Sequence, residues 1–281
     1  MLMVSGIGPA EVLEAAGVSV LLDRPGVGQN FWDNVLVGPT FEVDTLTHSA
    51  LGESSYLAQA VNEYNNNRTG MLTNVGGDFA AFEKVAEEMV SKTTYSSLNS
   101  TFPADWPNLE FLVLDAYFGS GNETSNTTAV EGRQYVASSV GVVSTFSRGN
   151  VSISSPDTAD NPIISPNWLL DPRDQELAVA AFKRGRDLFN TSVMAPVVIA
   201  EAYPGTQYKT DEDILQVVLD SANSVYNGAG TNKMGKVDDP MAVVDSTGRV
   251  IGAQGLRVID ASIFPFLPPA EKIAEVILNA G

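Results

Sequence analysis

Leu109-Glu110-Phe111-Leu112-Val113-Leu114-Asp115 reads as a β-strand. Leu109, Phe111 and Val113 share one side of a two-residue period, and Glu110, Leu112 and Leu114 share the other. A run this apolar in both sets predicts a strand buried on both faces. Two further apolar runs, 136–146 and 151–155, flank Ser147-Arg148-Gly149-Asn150, which reads as a hairpin-like turn. Strands thus sit in the middle of the chain.

Helical signals surround them. Asp171-Pro172 combines an N-cap residue with a first-position proline, and Leu177, Ala181 and Leu188 form an apolar face up to about residue 189. Lys183, Arg184 and Arg186 lie toward the C-terminal end, where the helix dipole favours cations. Thr210-x-x-Asp213 has the form of a capping box and predicts a second helix through Leu215 and Val218. Near the start, Pro9 and Gly17 bracket a short helix, followed by a strand at 18–22 and a turn-rich loop over 23–30. Residues 45–105 read as polar and irregular, apart from an acidic helix over 79–90. A strand at 256–259 and a helix from about residue 270 close the chain. The fold class expected from this order is α/β or α+β.

Composition narrows the function. A chain of 281 residues, 44% hydrophobic and 18% charged, can bury a core. Its length suggests two domains or one large one. The net charge of −18 disfavours nucleic acid and anionic membrane, since both are polyanions. No apolar run is long enough to span a bilayer. With no cysteine there is no disulfide, thiolate metal site or cysteine nucleophile, and with His48 alone no two-histidine metal site. His48 lies in a polar stretch and reads as a surface histidine. The acidic pairs Asp211/Asp213 and Asp238/Asp239 read as helix-start and turn residues rather than metal ligands. No metal is expected.

The opening Met1-Leu2-Met3-Val4-Ser5-Gly6 has neither the basic region nor the apolar core of a signal peptide. Six Asn-x-Ser/Thr sequons, at Asn67, Asn99, Asn122, Asn126, Asn150 and Asn190, nevertheless point to a secreted glycoprotein. The two readings agree if a signal peptide lies upstream of Met1. Gly-x-Gly pairs occur at Gly6/Gly8, Gly26/Gly28, Gly119/Gly121 and Gly228/Gly230, but none has the third glycine of a dinucleotide fingerprint. Tyr226-Asn227-Gly228-Ala229-Gly230-Thr231-Asn232-Lys233-Met234-Gly235 has glycines enough for close backbone approach to a ligand or to another chain.

Several blocks together resemble the glucose–methanol–choline (GMC) flavoprotein oxidoreductases. Ser5-Gly6-Ile7-Gly8-Pro9-Ala10 and Pro25-Gly26-Val27-Gly28-Gln29-Asn30 look like the family's second signature. Ser147-Arg148-Gly149-Asn150-Val151 with Asn161-Pro162-Ile163-Ile164 looks like its substrate-domain hairpin. Gly230-Thr231-Asn232-Lys233-Met234-Gly235 with Asp239-Pro240-Met241-Ala242-Val243-Val244-Asp245 looks like its active-site loop. Gly255-Leu256-Arg257-Val258-Ile259-Asp260-Ala261-Ser262-Ile263-Phe264-Pro265 looks like its late flavin-contacting strand. The wording is most like fungal members of the aryl-alcohol oxidase and versicolorin B synthase type.

The resemblance implies the C-terminal part of a GMC fold: an antiparallel-sheet substrate domain with helices, plus C-terminal pieces of an FAD-binding domain. The implied division is 1–38 for an FAD-domain segment, 39–223 for the substrate domain and 224–281 for a final FAD-domain and active-site segment. The implied cofactor is FAD and the implied partner a small-molecule alcohol, oxidised by hydride transfer to the flavin. By position, Asn227 stands where the family has its catalytic histidine; Asn30, Tyr226, Asp260 and Ala261 stand at cofactor-binding positions. Three departures follow. The N-terminal phosphate-binding glycine loop would lie upstream of Met1. An Asn227 amide can orient a hydroxyl but cannot take its proton. Pro268-Pro269 runs directly into Ala270-Glu271-Lys272, without the polar active-site residue of fungal members. The expectation is therefore a chain that is inactive alone. The alternatives are a non-catalytic binding or structural remnant and a cyclase-like role.

Overall fold

The computed structural model describes residues 1–77, 79–119 and 130–268, which fold as two units. The first comprises Met1–Asn34, Thr145–Asp171 and Tyr226–Gly281, the second Val35–Ser144 and Pro172–Val225. In chain order the strands are β1 (Ile7–Gly8), β2 (Leu22–Asp23), β3 (Val35–Val37), β4 (Thr40–Val43), β5 (Phe79–Glu83), β6 (Leu109–Leu114), β7 (Tyr135–Val142), β8 (Asn150–Ser152), β9 (Ile163–Ser165), β10 (Val198–Tyr203) and β11 (Asn223–Ser224). The helices are α1 (Ala10–Ala15), α2 (Ser54–Asn67), α3 (Lys92–Thr101), α4 (Pro172–Phe189) and α5 (Asp211–Ser221).

The second unit is built on a seven-stranded antiparallel sheet. Its path runs β10-β4-β7-β3-β11, and β6 pairs with both β7 and β5. β6 is the strand read from the sequence, and it pairs with β7 from Leu109 opposite Val142 to Leu114 opposite Ala137. Its burial is not equal on the two sides. Leu109 and Phe111 are buried, whereas Val113 on their side and Glu110, Leu112 and Leu114 on the other are only partly covered. The cause is α4, which packs on one face of the sheet. Leu177, Ala181, Phe182 and Phe189 are buried on that helix, and burying a side chain such as Phe182 stabilises the fold by roughly 1.5–3 kcal/mol. Gly185 allows the close approach: a Cβ there would lie 3.0 Å from Pro39 and 3.1 Å from the Ser138 carbonyl. At the far end of the helix, Phe41 stacks on Phe189 at 4.7 Å and joins a cluster with Val43 and Val136.

Charges reinforce the same face. Arg186 makes a forked ion pair with Glu201, at 3.0 Å from Nε and 2.8 Å from Nη2, and its Nη1 donates to the Tyr208 carbonyl. Arg184 grips Glu83 through two 2.9 Å bonds. α5 starts at the predicted capping box: Thr210 Oγ1 accepts from the Asp213 N–H, and the Asp213 carboxylate accepts from the Thr210 N–H. Those bonds to Thr210 hold the Asp213 carboxyl below its ordinary range.

In the first unit, β1 and β2 form a parallel pair and β8 and β9 an antiparallel one. Met3, Ile7, Leu13, Val27, Val243, Val244 and Val250 make its core.

Several local expectations are corrected. Residues 79–90 are not a helix. Phe79–Glu83 is a strand, because its backbone pairs residue for residue with β6 and so outweighs the helical propensity of its Ala and Glu residues. Residues 45–105 are not irregular, since α2 and α3 lie there. Both are polar helices with few large apolar residues, so their period is faint; Ser91 caps α3 by accepting from the Thr94 N–H. The runs around 147–150 do not form a hairpin. β7 ends at Val142 within the large sheet, β8 pairs with β9, and Gly149 exchanges both backbone bonds with Phe31. Of 18–22 only Leu22 is in a strand, and 256–259 contributes a single bridge between Arg249 and Arg257. The expected final helix and the Pro269–Ala270 join lie outside the described residues.

Candidate functional site

The motif blocks of the first unit converge on one junction of backbone. Gly28 N–H donates to the Thr231 carbonyl at 2.8 Å, and the Gly28 carbonyl accepts from Val151 N–H at 2.7 Å. Only glycine fits there: its φ is +80°, and a Cβ would sit 2.1 Å from the Val151 carbonyl oxygen. Trp32 and Ala229 exchange both backbone bonds, at 3.0 and 2.9 Å. On the other side, Gly230, Asn232 and Met234 donate in turn to the carbonyls of Ala261, Ser262 and Ile263. The glycine-rich stretch 226–235 is therefore a backbone splice, wedged between the loop at 28–32 and the turn at 261–263. The close approach it permits is to this chain's own segments.

The five positions singled out from the sequence lie on the segments paired at this junction or next to them. Asn30 has a left-handed backbone, φ 62°, and its amide donates to the Gly230 carbonyl at 3.3 Å. Gly230 in turn donates to Ala261. Asp260 accepts from the Ser262 N–H at 2.8 Å and caps the 3-10 turn Ala261–Ile263. Tyr226 is left-handed as well, φ 63°, and 87% exposed. The next residue, Asn227, is pinned through its backbone: its N–H donates to the buried Asp33 carboxylate at 3.0 Å. Its side chain is exposed. Left-handed non-glycine backbone costs on the order of 1–3 kcal/mol and concentrates at functional sites. Two such residues border this junction.

FAD is the cofactor that the family resemblance implies. Its ring half is flat and needs apolar cover beside amide groups, and exposed residues of both kinds occur in the first unit. Tyr226, Ile259 and Phe266 are exposed apolar groups, and the exposed Asn227 amide stands next to Tyr226. For a pyrophosphate, none of the chain's Gly-x-Gly pairs completes the phosphate-binding loop.

Other expected charges fall elsewhere. Asp239 accepts from the Met241 N–H and pairs with Lys233 at 3.2 Å, and both hold its carboxyl below the ordinary range, the backbone bond most. Asp211 pairs with Lys183. Among the described residues no cluster of three metal-ligating side chains occurs. His48 is not a free surface residue. In the second unit its Nδ1 lies 2.7 Å from Asp115 Oδ2 and its Nε2 3.1 Å from the Met71 carbonyl, with 12% of the side chain exposed. Burial lowers its pKa, but the bond and charge of Asp115 and two backbone carbonyl-side contacts outweigh that, so the net shift is upward. The polar surroundings of His48 in sequence gave no signal of this, because Asp115 is distant along the chain.

Comparison with known proteins agrees with the motif blocks. Residues 145–280 match the family model described as GMC oxidoreductase. The chain is 45% identical over 278 residues to a versicolorin B synthase of Emericella nidulans, covering 98% of this chain and 42% of that protein. It is 45% identical over 289 residues to the patulin synthase of Aspergillus clavatus, covering 98% and 46%. Among solved structures, a formate oxidase from Aspergillus oryzae RIB40 superposes with a TM-score of 0.84 at 23% identity, covering 95% of this chain and 48% of that one. A fungal aryl-alcohol oxidase gives 0.70 at 24%, covering 99% and 52%. The chain thus spans a little under half the length of the relatives it matches in sequence.

Proposed function

Since this chain belongs to the glucose–methanol–choline oxidoreductase family, we propose that it forms the late, flavin-side part of an FAD-dependent oxidoreductase acting on the CH–OH group of a small-molecule alcohol. The observation that supports the reading most is the junction at Gly230. It brings Asn30, Ala261 and, through the adjoining turn, Asp260 together beside the left-handed Tyr226 and its neighbour Asn227.

FAD, when bound, supplies the hydride acceptor. Asn30, Tyr226, Asp260 and Ala261 are the residues that would face its ring. Asn227 offers an exposed amide, fixed at its backbone by Asp33, which can orient a substrate hydroxyl by one hydrogen bond. It cannot act as the proton acceptor. A general base contributes roughly 10²–10⁴-fold to such a reaction, so a chain with asparagine at this place forgoes a factor of that order.

This chain alone is expected neither to retain FAD nor to oxidise alcohols, because its sequence supplies no complete pyrophosphate loop. The test is to purify the 281-residue chain, look for co-purified flavin, titrate FAD against its tryptophan fluorescence, and assay benzyl alcohol. A flavin-free, inactive chain is the expected result. Bound flavin together with turnover would overturn that part of the proposal. If added FAD restores binding, Asn227→His should raise turnover; an unchanged rate would count against the assignment of Asn227.

Secretion and glycosylation belong to the same proposal. Asn67, Asn99 and Asn190 are exposed, as acceptors must be, and Asn150 is half-buried. Asn122 and Asn126 lie outside the described residues. Expression in a eukaryotic secretory host and deglycosylation would test it: an unchanged mass would sink it.

A further inference from the structure

Register places a bulge at the start of the glycine-rich stretch. In the first unit Trp32 stands opposite Ala229, and in the second Val35 stands opposite Ser224. Val35 follows Trp32 by three residues, whereas Ser224 precedes Ala229 by five. The later segment therefore carries two residues more than the one it pairs with. Such an excess on one strand of an antiparallel pair bends that strand and re-aims its side chains. Burial shows where the excess goes: Tyr226, Asn227 and Gly228 are exposed, between a partly covered Val225 and a buried Ala229.

Three features hold the bulge in one shape. Tyr226 enters it with a left-handed backbone, φ 63°. Gly228 leaves it against the Phe31 ring, where a Cβ would come within 2.9 Å of Cε2. Between them the Asn227 N–H departs from the ladder. Two residues on from the Trp32–Ala229 pair, regular pairing would set Asn227 opposite Asn34, backbone to backbone. The bond goes to the Asp33 carboxylate, at 3.0 Å. Asp33 is 6% exposed, so this acceptor is little diluted by water. A side chain, and not the ladder, thus sets the backbone of Asn227.

We propose that Asp33 is a positioning residue. By holding the Asn227 N–H it fixes the bulge that presents the side chain of residue 227, and its charge acts on the group carried there. The proposal rests on the reading of Asn227 as the residue that meets a substrate hydroxyl, and adds what aims it. Asp33 works through Asn227 and takes no part in hydride transfer. A carboxylate behind this position favours a group that donates hydrogen bonds or carries positive charge over one that carries negative charge.

The test uses the intact chain without flavin. Hydrogen exchange of the Asn227 amide, followed by nuclear magnetic resonance, should be at least about tenfold faster in Asp33→Ala. It should return to the wild-type rate in Asp33→Asn, whose amide oxygen still accepts. Asp33→Asn also isolates the charge. With Asn227→His as a reporter, the imidazole should titrate about half a pH unit higher beside Asp33 than in the double variant with Asp33→Asn, the shift expected of a carboxylate roughly 7 Å away in a water-like medium. His48, the one histidine of the chain, serves as the reference and should titrate alike in both. A merely structural Asp33 would leave the reporter unmoved. Wild-type exchange in Asp33→Ala, no recovery in Asp33→Asn, or equal reporter pKa values in the two backgrounds would each overturn the proposal. If Asp33→Ala does not fold, the reporter pair decides by itself. None of these readouts needs flavin or turnover, so a failure to bind FAD or to oxidise alcohols counts against the flavoenzyme reading and not against the hold of Asp33 on residue 227.

Discussion

The guanidinium of Arg148 lies 3.4 Å from the ring centre of Trp32. Trp32 is 1% exposed, with Phe266 edge-on at 5.9 Å. Arg148 Nη1 also donates to the carbonyls of Thr145 and Ser147, and its own carbonyl accepts from the Asn167 amide. One planar cation therefore ties the Ser147-Arg148-Gly149-Asn150 motif to Trp32, two residues after Asn30. Lysine has the charge but neither the plane nor the fork. Arg148→Lys should lower stability by about 1–2 kcal/mol and alter the near-ultraviolet circular dichroism of Trp32. An unchanged spectrum and denaturation midpoint would show the stack to be incidental.

Gly28 is the tightest point of the same assembly. A methyl there meets the Val151 carbonyl at 2.1 Å, and the backbone is left-handed. Gly28→Ala should cost at least about 2 kcal/mol, from strain plus displacement of β8. Gly17→Ala is the control: it is also left-handed, but nothing lies within 4 Å. Chemical denaturation of the two variants should separate the contribution of close approach from that of φ alone.

Much of this was legible from local chemistry. α4 and α5 announced themselves because proline, capping residues and apolar spacing agreed, and β6 because its apolar run is short and continuous. The site blocks were legible only through resemblance, since Asn30, Tyr226, Asn227 and Asp260 sit in loops whose order says nothing of their meeting. What failed was set by distant partners. Phe79–Glu83 became a strand because β6 offered an edge. Glu110 reads as one polar residue in a buried strand, and only the placement of α4 reveals that it lies on the face turned away from that helix. The residues 147–150 looked like a hairpin turn because their true partner, Phe31, is more than a hundred positions away.

Arg186 and Glu201 form the most buried ion pair named here, with side chains 15% and 6% exposed. Removing one partner leaves the other charge stranded in a poorly solvated place. Arg186→Met should therefore destabilise by about 3–5 kcal/mol. The double variant Arg186→Met with Glu201→Leu should recover a large part of that loss, because no orphaned charge remains. A double-mutant cycle measured by urea unfolding decides the point, and additive losses would refute the coupling.

His48 gives the stability a pH signature. Asp115 and the Met71 carbonyl can only accept, so both ring nitrogens donate when the imidazole is protonated. Asp115 is the charged group that acts on it among the described residues, and it raises the folded pKa above the ordinary 6.5 despite the opposing effect of burial. A base whose pKa is raised by folding stabilises the native state fully below its unfolded pKa. That contribution fades as pH climbs from about 6.5 through the folded value, because the neutral ring must give up one of its two bonds. Wild-type unfolding free energy should fall over that window. In His48→Gln, which can keep one of the two bonds at any pH, the curve should be flatter there and lower at acidic pH. Parallel curves for the two proteins between pH 6 and 9 would show that His48 does not titrate in this place.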